Sequence, residues 1–141
     1  MAEFINTADV IGDDELCDQI IMRTVTEYAD NWVTKVGQYA FYKCTALARV
    51  DVPAATKIEA NAFNGCTALS VFILRSTSMC TLNADIPGPI KDGTGYIYVP
   101  RALVDSYKAA TNWSTYDTQF RALEDYTVDG TITGELDETK I

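Results

Sequence analysis

The sequence predicts an α/β fold, a short solenoid whose coils place their strands side by side in a parallel sheet. Two segments, 34–52 and 56–74, repeat one another at a spacing of 22 residues. Each segment ends in the alternating apolar pattern of a strand, and later segments carry helical spacing. One such unit cannot bury its apolar side alone, so stacked neighbours must share a core.

Each copy combines a turn with an Ala-Phe pair. The pair lies at 40–41 in the first copy and at 62–63 in the second. A Cys-Thr-Ala-Leu run follows it in both, at 44–47 and 66–69. Equivalent positions of neighbouring coils lie ~5 Å apart, so we expect the two phenylalanines to stack in a dry interior.

The strand of each copy directs its apolar side chains toward the core. The inward residues are Leu47, Val50 and Val52 in the first copy and Leu69, Phe72 and Leu74 in the second. Together, residues 33–76 form two repeats of 22 residues. Their strands should pair in parallel along one side of the molecule.

The period weakens in residues 77–100, which are interpreted as a degenerate third repeat with a loop. This segment has no Ala-Phe pair, and its Pro-Gly-Pro run at 87–89 favours a loop. Its end, 96–99, alternates as a strand and directs Ile97 and Val99 inward.

A solenoid exposes its apolar interior at each end, so capping segments are required. Residues 1–32 are interpreted as an N-terminal helical cap. Asp13 can cap a helix whose last turn carries Arg23, which complements the helix dipole. The buried stripe of this helix would be Leu16, Ile20 and Ile21.

Residues 101–126 predict a helical C-terminal cap. One helical face contains Leu103, Tyr107 and Ala110. A second helix is predicted to begin at Ser114, with Asp117 three residues later. Its apolar stripe would be Tyr116, Phe120 and Leu123.

Residues 127–141 are interpreted as a β-hairpin and tail, because an Asp-Gly pair at 129–130 lies between β-prone residues. The whole chain, 1–141, has the length of one domain.

The repeat pattern Ala-Phe-x-x-Cys-x-x-Leu-x-x-Val-x-Val-Pro at 40–53 resembles the BspA-like leucine-rich repeats of bacterial surface proteins. The flanking segments, 20–44 and 93–137, resemble those of short repeat proteins in bacterial and prophage genomes. The resemblance implies a short leucine-rich-repeat solenoid that acts as a ligand-binding or adhesive module. It does not identify the ligand.

Two functions are compatible with this resemblance. The first is a phage-encoded or prophage-encoded virion or tail-associated protein, structural or receptor-binding. The alternative is a bacterial cell-surface adhesion module that binds a host protein or glycan. An enzyme acting on glycans is a distant third, because the paired carboxylates at 13–15 and 124–125 are explained by helix starts and solvated ends. We therefore expect no enzyme activity.

The charge distribution bears on the partner class. The net charge is −9; residues 1–31 carry eight acids and one base, residues 32–121 six acids and nine bases, and residues 122–141 six acids and one base. An acidic chain repels phosphate backbones, so no nucleic-acid partner is expected. A protein or glycan partner, other virion proteins or a second copy of the chain remain as partners.

The start of the chain lacks the basic segment and apolar run of a signal peptide. No segment is apolar enough to span a bilayer, so no membrane insertion is expected. We expect a chain made in the cytosol without a signal peptide and associated with a virion, with the cell surface as the alternative.

The chain contains no histidine and no Cys-x-x-Cys pair, which disfavours metal and Ser-His or Cys-His sites, and no cofactor is expected. Its four cysteines are Cys17, Cys44, Cys66 and Cys80. Cys44 and Cys66 should stack on successive coils. A disulfide between them is conceivable, but buried thiols are favoured.

The outward side of the strands is the candidate binding face. One row would contain Arg49, Val71 and Tyr96, and a second row Asp51, Ile73 and Tyr98. Exposed aromatic and apolar groups beside charges are typical of interaction sites. The competing interpretation is that the loop at 75–95 or a cap covers these rows. A repeated lysine, at 35 and 57, is interpreted as a solvated position or a small basic ridge.

Overall fold

The computed structural model describes residues 26–29, 33–83 and 85–125, together with the backbone of residues 10–11. Its strands are Val10–Ile11 (β1), Glu27–Ala29 (β2), Lys35–Val36 (β3), Arg49–Asp51 (β4), Lys57–Ile58 (β5), Val71–Ile73 (β6), Thr81–Leu82 (β7), Tyr96–Val99 (β8) and Phe120–Ala122 (β9). Its helices are Pro89–Asp92 (α1) and Val104–Ala109 (α2), with 3-10 turns at Arg101–Leu103, Trp113–Gln119 and Leu123–Asp125.

The described strands form two parallel sheets, in the orders β1-β3-β5-β7 and β2-β4-β6-β8-β9. We name the successive turns of the chain coil 1 (33–54), coil 2 (55–76) and coil 3 (77–100). Each coil contributes one strand to each sheet. The sequence prediction of an α/β solenoid with a parallel strand face is confirmed.

The core is built from equivalent residues of successive strands. Across the larger sheet, Tyr28, Val50, Phe72, Ile97 and Phe120 follow one another in register, and each is at most 3% exposed. The side chains predicted to point inward from the two repeats and from β8 are all buried. The spacing of 22 residues, together with the alternation at 96–99, therefore identified the inward side chains of these strands correctly.

The anchor turns stack as the repeat predicts. The rings of Phe41 and Phe63 are nearly parallel, with centroids 5.2 Å apart, and both side chains are fully buried. Beside them the Phe41 N–H donates to the Ala62 carbonyl at 2.8 Å, so backbone hydrogen bonds and ring stacking connect the same two turns.

The interpretation of residues 77–100 as a degenerate repeat missed one strand. β7 lies in this segment and pairs with β5, with Thr81 opposite Lys57 and Leu82 opposite Ile58. Leu82 is buried, and so is Ile86 in the turn that follows. Coil 3 thus has both strands of a coil, although it lacks the Ala-Phe anchor.

Polar tips of the C-terminal cap bind the backbone of coil 3. The Cys80 N–H donates to the Tyr107 hydroxyl and the Trp113 indole N–H donates to the Cys80 carbonyl, both at 2.7 Å. The Ile86 N–H donates to the Tyr116 hydroxyl, also at 2.7 Å. Burial raises the pKa of Tyr107 to about 12 and raises the pKa of Tyr116. These contacts satisfy backbone groups that would otherwise be buried without partners.

The first helical face predicted for the cap is confirmed, since Tyr107 is buried and Leu103 and Ala110 pack against the core. The prediction of a second helix, beginning at Ser114, is wrong beyond the 3-10 turn. Phe120 begins β9, which pairs in parallel with β8, and Leu123 lies in a separate 3-10 turn. Spacings of three and four residues suit a helix, but here a kinked 3-10 turn leads into a strand that extends the sheet.

The N-terminal helix predicted from Asp13 and the hairpin predicted at 127–141 lie outside the described residues. Within the segment assigned to the N-terminal cap, β1 pairs with β3 and β2 pairs with β4. Residues 1–32 therefore contribute strands to both sheets as coils 1 and 2 do. The remaining domain boundaries stay predictions.

Candidate binding face

The outward row of the larger sheet contains Glu27, Arg49, Val71 and Tyr96, which follow one another in register on β2, β4, β6 and β8. Glu27 is exposed, and the other three are half-buried. The predicted row Arg49, Val71 and Tyr96 is thus present, and it extends to Glu27, which lies in the segment that the sequence analysis assigned to a cap.

The second predicted row is present in the register but not at the surface. Asp51, Ile73 and Tyr98 lie opposite one another, as predicted. However, Ile73 is 0% and Tyr98 is 1% exposed. The expectation that these two side chains contact a partner directly is therefore wrong. They form a second apolar cluster with Leu123, against which Val71 and Tyr96 pack.

Asp51 is engaged within the protein. Its carboxylate accepts two hydrogen bonds from Arg75 Nε, at 3.0 and 3.2 Å, and one from Nη2 at 2.8 Å. Arg75 is 8% exposed, so this is a largely buried, bidentate ion pair. Asp51 positions Arg75 beneath the face and is not a free anionic contact for a partner.

Arg121 joins the face from β9. Its guanidinium carbon lies 4.5 Å from the ring centroid of Tyr96. Its Nη1 donates to the carbonyls of Thr118 and Phe120, at 3.0 and 2.8 Å. The side chain is therefore held over the tyrosine before any partner binds. The residue spacing predicts a helix over this segment, so it gives no indication that Arg121 lies on this face.

We define the strand face as Glu27, Arg49, Val71, Tyr96 and Arg121. It combines an acid, two bases, a branched apolar residue and a tyrosine on one parallel sheet. Tyrosine and arginine are the residue types that dominate the free energy of protein interfaces. Binding by Arg49, Val71 and Tyr96 stays a prediction.

The other candidate groups are engaged inside the molecule. Cys44 and Cys66 are free thiols, 1% and 0% exposed. Their mutual hydrogen bond lowers the pKa of Cys44 against the effect of burial, whereas that bond and burial both raise the pKa of Cys66. Lys57 forms an ion pair with Glu59, N to O 3.0 Å. A basic ridge formed by Lys35 and Lys57 is therefore partly neutralised.

The carboxylates near the end of the described chain bind within the cap. Glu124 accepts a hydrogen bond from the Arg101 backbone N–H at 2.8 Å, and Asp125 forms an ion pair with the Arg101 guanidinium. In the part of the chain that the structure describes, no three acidic or thiol side chains come together to hold a metal ion. Within the same residues, no helix is long and apolar enough to cross a bilayer.

A family model described as the BspA type leucine rich repeat region matches residues 5–84 in six copies. The match covers more than half of the 141 residues. It begins well before the first repeat recognised in the sequence, so the count of two repeats was too low. No curated protein matches the chain.

Proposed function

Since the chain belongs to the BspA type leucine-rich repeat family, we propose that it is a non-enzymatic module that binds a protein partner through the strand face. Leucine-rich repeat domains generally mediate protein binding, and this family is generally an interaction module. The observation that carries the proposal is the Tyr96-Arg121 pair, half-buried and stacked at 4.5 Å on the outward side of the sheet.

The geometry of the face favours a protein partner. Tyr96 and Val71 rest on a buried apolar cluster, so little side-chain entropy is left to lose when a partner packs on them. Glu27 and Arg49 lie along the same row and provide charges of both signs. Such a mixture of a preorganised aromatic group and flanking charges gives affinity and register together.

As a finer proposal, the partner is a component of a virion, and the chain is a phage-encoded or prophage-encoded tail-associated protein. The support is the resemblance of its flanking segments, 20–44 and 93–137, to those of short prophage repeat proteins. In this proposal the chain is incorporated into the particle. Cell-surface adhesion is the alternative.

The contact surface is tested with a photo-crosslinking amino acid at position 96 and, as the matched control, at Lys108, an exposed residue of α2. Expressed in the native source, the position-96 protein should crosslink to one defined protein, and the position-108 protein should not. Equal crosslinking from both positions, or from neither, would contradict binding through the strand face. A crosslink between two copies would identify a homo-oligomer.

The virion proposal is tested separately by mass spectrometry of particles purified from the native source. The proposal predicts this chain in the particles at a fixed ratio to a tail or capsid protein. Its absence from the particles together with its presence on the cell surface would favour the adhesion alternative.

A further inference from the structure

A polar groove lies on the turns that follow the smaller sheet. It consists of two adjacent depressions of about 150 Å³ each, which share Asn61 and Asp85 as walls. Each alone is about half of the ~300 Å³ at which small-molecule sites begin, so a ligand would have to span both. The polar side chains of this groove are Asn61, Asn64, Asn83, Asp85, Lys91 and Asn112.

The groove is built by the repeat. Lys35, Lys57 and Thr81 lie opposite one another in the smaller sheet. Four residues after each of them come Tyr39, Asn61 and Asp85, so these three occupy one position of three successive coils. Asn112 adds a wall from the C-terminal cap, where its Nδ2 donates to the Leu82 carbonyl at 2.6 Å.

An aromatic pair lies beside the groove on coil 1. The Nδ2 of Asn61 donates to the Tyr39 hydroxyl at 3.2 Å. The ring of Tyr39 packs edge-on against Tyr42, with centroids 5.3 Å apart, and both side chains are half-buried. A row of amide and carboxylate groups thus ends beside two half-buried tyrosine rings, and the Lys43 Nζ lies 5.2 Å from the centroid of the Tyr42 ring.

We propose that this groove binds a short neutral saccharide. Each carboxamide offers donors and an acceptor, and each sugar hydroxyl is itself both a donor and an acceptor. Among the described residues, the side chains of Asn83 and Asp85 make no hydrogen bond, so these groups can accept or donate to hydroxyls. The half-buried rings of Tyr39 and Tyr42 beside the groove suit the apolar C–H surface of a sugar ring.

The charges of Asp85 and Lys91 disfavour a metal ion or an anion as the ligand of this groove. A calcium site uses several carboxylates, whereas this groove has one, Asp85, and also contains the ammonium group of Lys91. An anion would meet the Asp85 carboxylate directly. A polyol without charge satisfies the mixed lining without an unpaired ion.

Backbone geometry supplies a matched variant. Tyr39 and Lys43 have φ of 57° and 58°, and the equivalent residues of coil 2, Asn61 and Gly65, have φ of 59° and 86°. The turn therefore requires the left-handed region at both positions, which asparagine and glycine tolerate better than tyrosine or lysine. Tyr39→Asn copies coil 2 and should keep or raise the Tm while it removes the aromatic ring.

The test is a titration of the full chain, with side-chain amide NMR signals of Asn61, Asn64, Asn83 and Asn112 as the readout. The probes are glucose, galactose, N-acetylglucosamine and maltose, each up to ~10 mM, about tenfold above a ~1 mM dissociation constant. We expect at least one sugar to shift these signals to saturation. Asp85→Ala and Tyr39→Asn should each weaken that binding at least tenfold without a lower Tm.

Tyr96→Ala is the control, because it lies on the strand face; it should bind the sugar as the wild type does. Shifts with none of the four sugars would overturn the proposal, as would equal shifts in wild type and Asp85→Ala. Saturable shifts with calcium chloride or sodium phosphate in place of a sugar would also overturn it. Crosslinking from position 96 is independent of these outcomes, so the saccharide site and the strand face fail or succeed separately.

Discussion

Coil 2 and coil 3 have the same two-strand architecture but are held in place by different means. Coil 2 carries its own anchor, Phe63, which stacks on Phe41 of the coil before it. Coil 3 has no such residue, and its backbone is bound by hydroxyl and indole groups of the C-terminal cap. Its apolar positions, Ile86 and Ile90, are as deeply buried as those of coil 2.

The difference shows that the Ala-Phe motif indicates how a coil is anchored. A coil can be present without the motif. The partners of the coil 3 backbone lie 27 to 33 residues further along the chain. A search for period and anchor therefore finds coil 2 and misses β7. The terminal coil of a solenoid has a cap on one side in place of another coil. Its side chains therefore need to fit the cap and need not follow the repeat pattern.

The largest expected effect is at the anchor of coil 2. Phe63→Ala should lower the free energy of unfolding by about 3–5 kcal/mol, because it leaves a cavity between Phe41 and Phe72, both in ring contact with Phe63. Urea denaturation measures this change. A loss below ~1 kcal/mol would mean that the two anchors do not share one core.

A smaller effect is expected at the cap. Trp113→Phe keeps an aromatic ring in the core but removes the indole N–H that donates to the Cys80 carbonyl. The buried carbonyl is then unsatisfied, at a cost of about 1–3 kcal/mol in the free energy of unfolding. Trp113→Ala is the comparison and should cost about 3–5 kcal/mol. A negligible loss for Trp113→Phe beside a full loss for Trp113→Ala would show that the hydrogen bond contributes nothing beyond the ring.

Alkaline pH should affect the coil 3 contacts. Burial raises the pKa of Tyr107 from 10.0 to about 12 and that of Cys80 from 9.0 to about 12. Since the neutral forms are favoured in the folded state, their contribution is complete below the unfolded pKa values and is lost as the pH rises toward 12. The Tm of the wild type should fall over this window. Tyr107→Phe should be less stable at neutral pH but show a shallower alkaline fall; an unchanged slope would contradict this role of Tyr107.

The smallest effect concerns the turns of coils 1 and 2. Lys43→Gly should stabilise the protein by roughly 0.5–1 kcal/mol, because the relief of left-handed strain, about 1–2 kcal/mol, outweighs the opposing entropy gain of the unfolded chain. Gly65→Ala at the equivalent position should destabilise it, since φ is 86° and the new Cβ would lie 3.0 Å from the Lys43 Cα. Thermal unfolding of the two variants should give shifts of opposite sign, and shifts of the same sign would rule out a shared turn geometry.

The sequence predicted the fold where the interactions are periodic. A spacing of 22 residues was sufficient to align Phe41 with Phe63 and Arg49 with Val71, and the alternating strand pattern at 96–99 added Tyr96 to the same row. These positions depend only on the register between neighbouring coils.

The remainder depends on contacts between distant segments. The burial of Ile73 and Tyr98 involves Leu123, from a segment whose apolar spacing suits a helix as well as a strand. The polar groove gave no signal, because Asn61, Asp85 and Asn112 come from two coils and the cap and meet only when the chain folds. For that reason the alternating pattern predicts surface positions for Tyr98 and Ile73 and gives no indication of the asparagines in the groove.

Amide hydrogen exchange of the Trp113→Phe variant tests most directly that the cap holds coil 3. The amides of Thr81 and Asn83 join coil 3 to coil 2, and the amide of Ile86 joins coil 3 to the cap, whereas those of Phe41 and Lys43 join coil 1 to coil 2. The predicted result is a loss of protection confined to the first group, with coils 1 and 2 exchanging as in the wild type. Equal loss in both groups, or none in coil 3, would contradict the claim that the cap replaces the missing anchor.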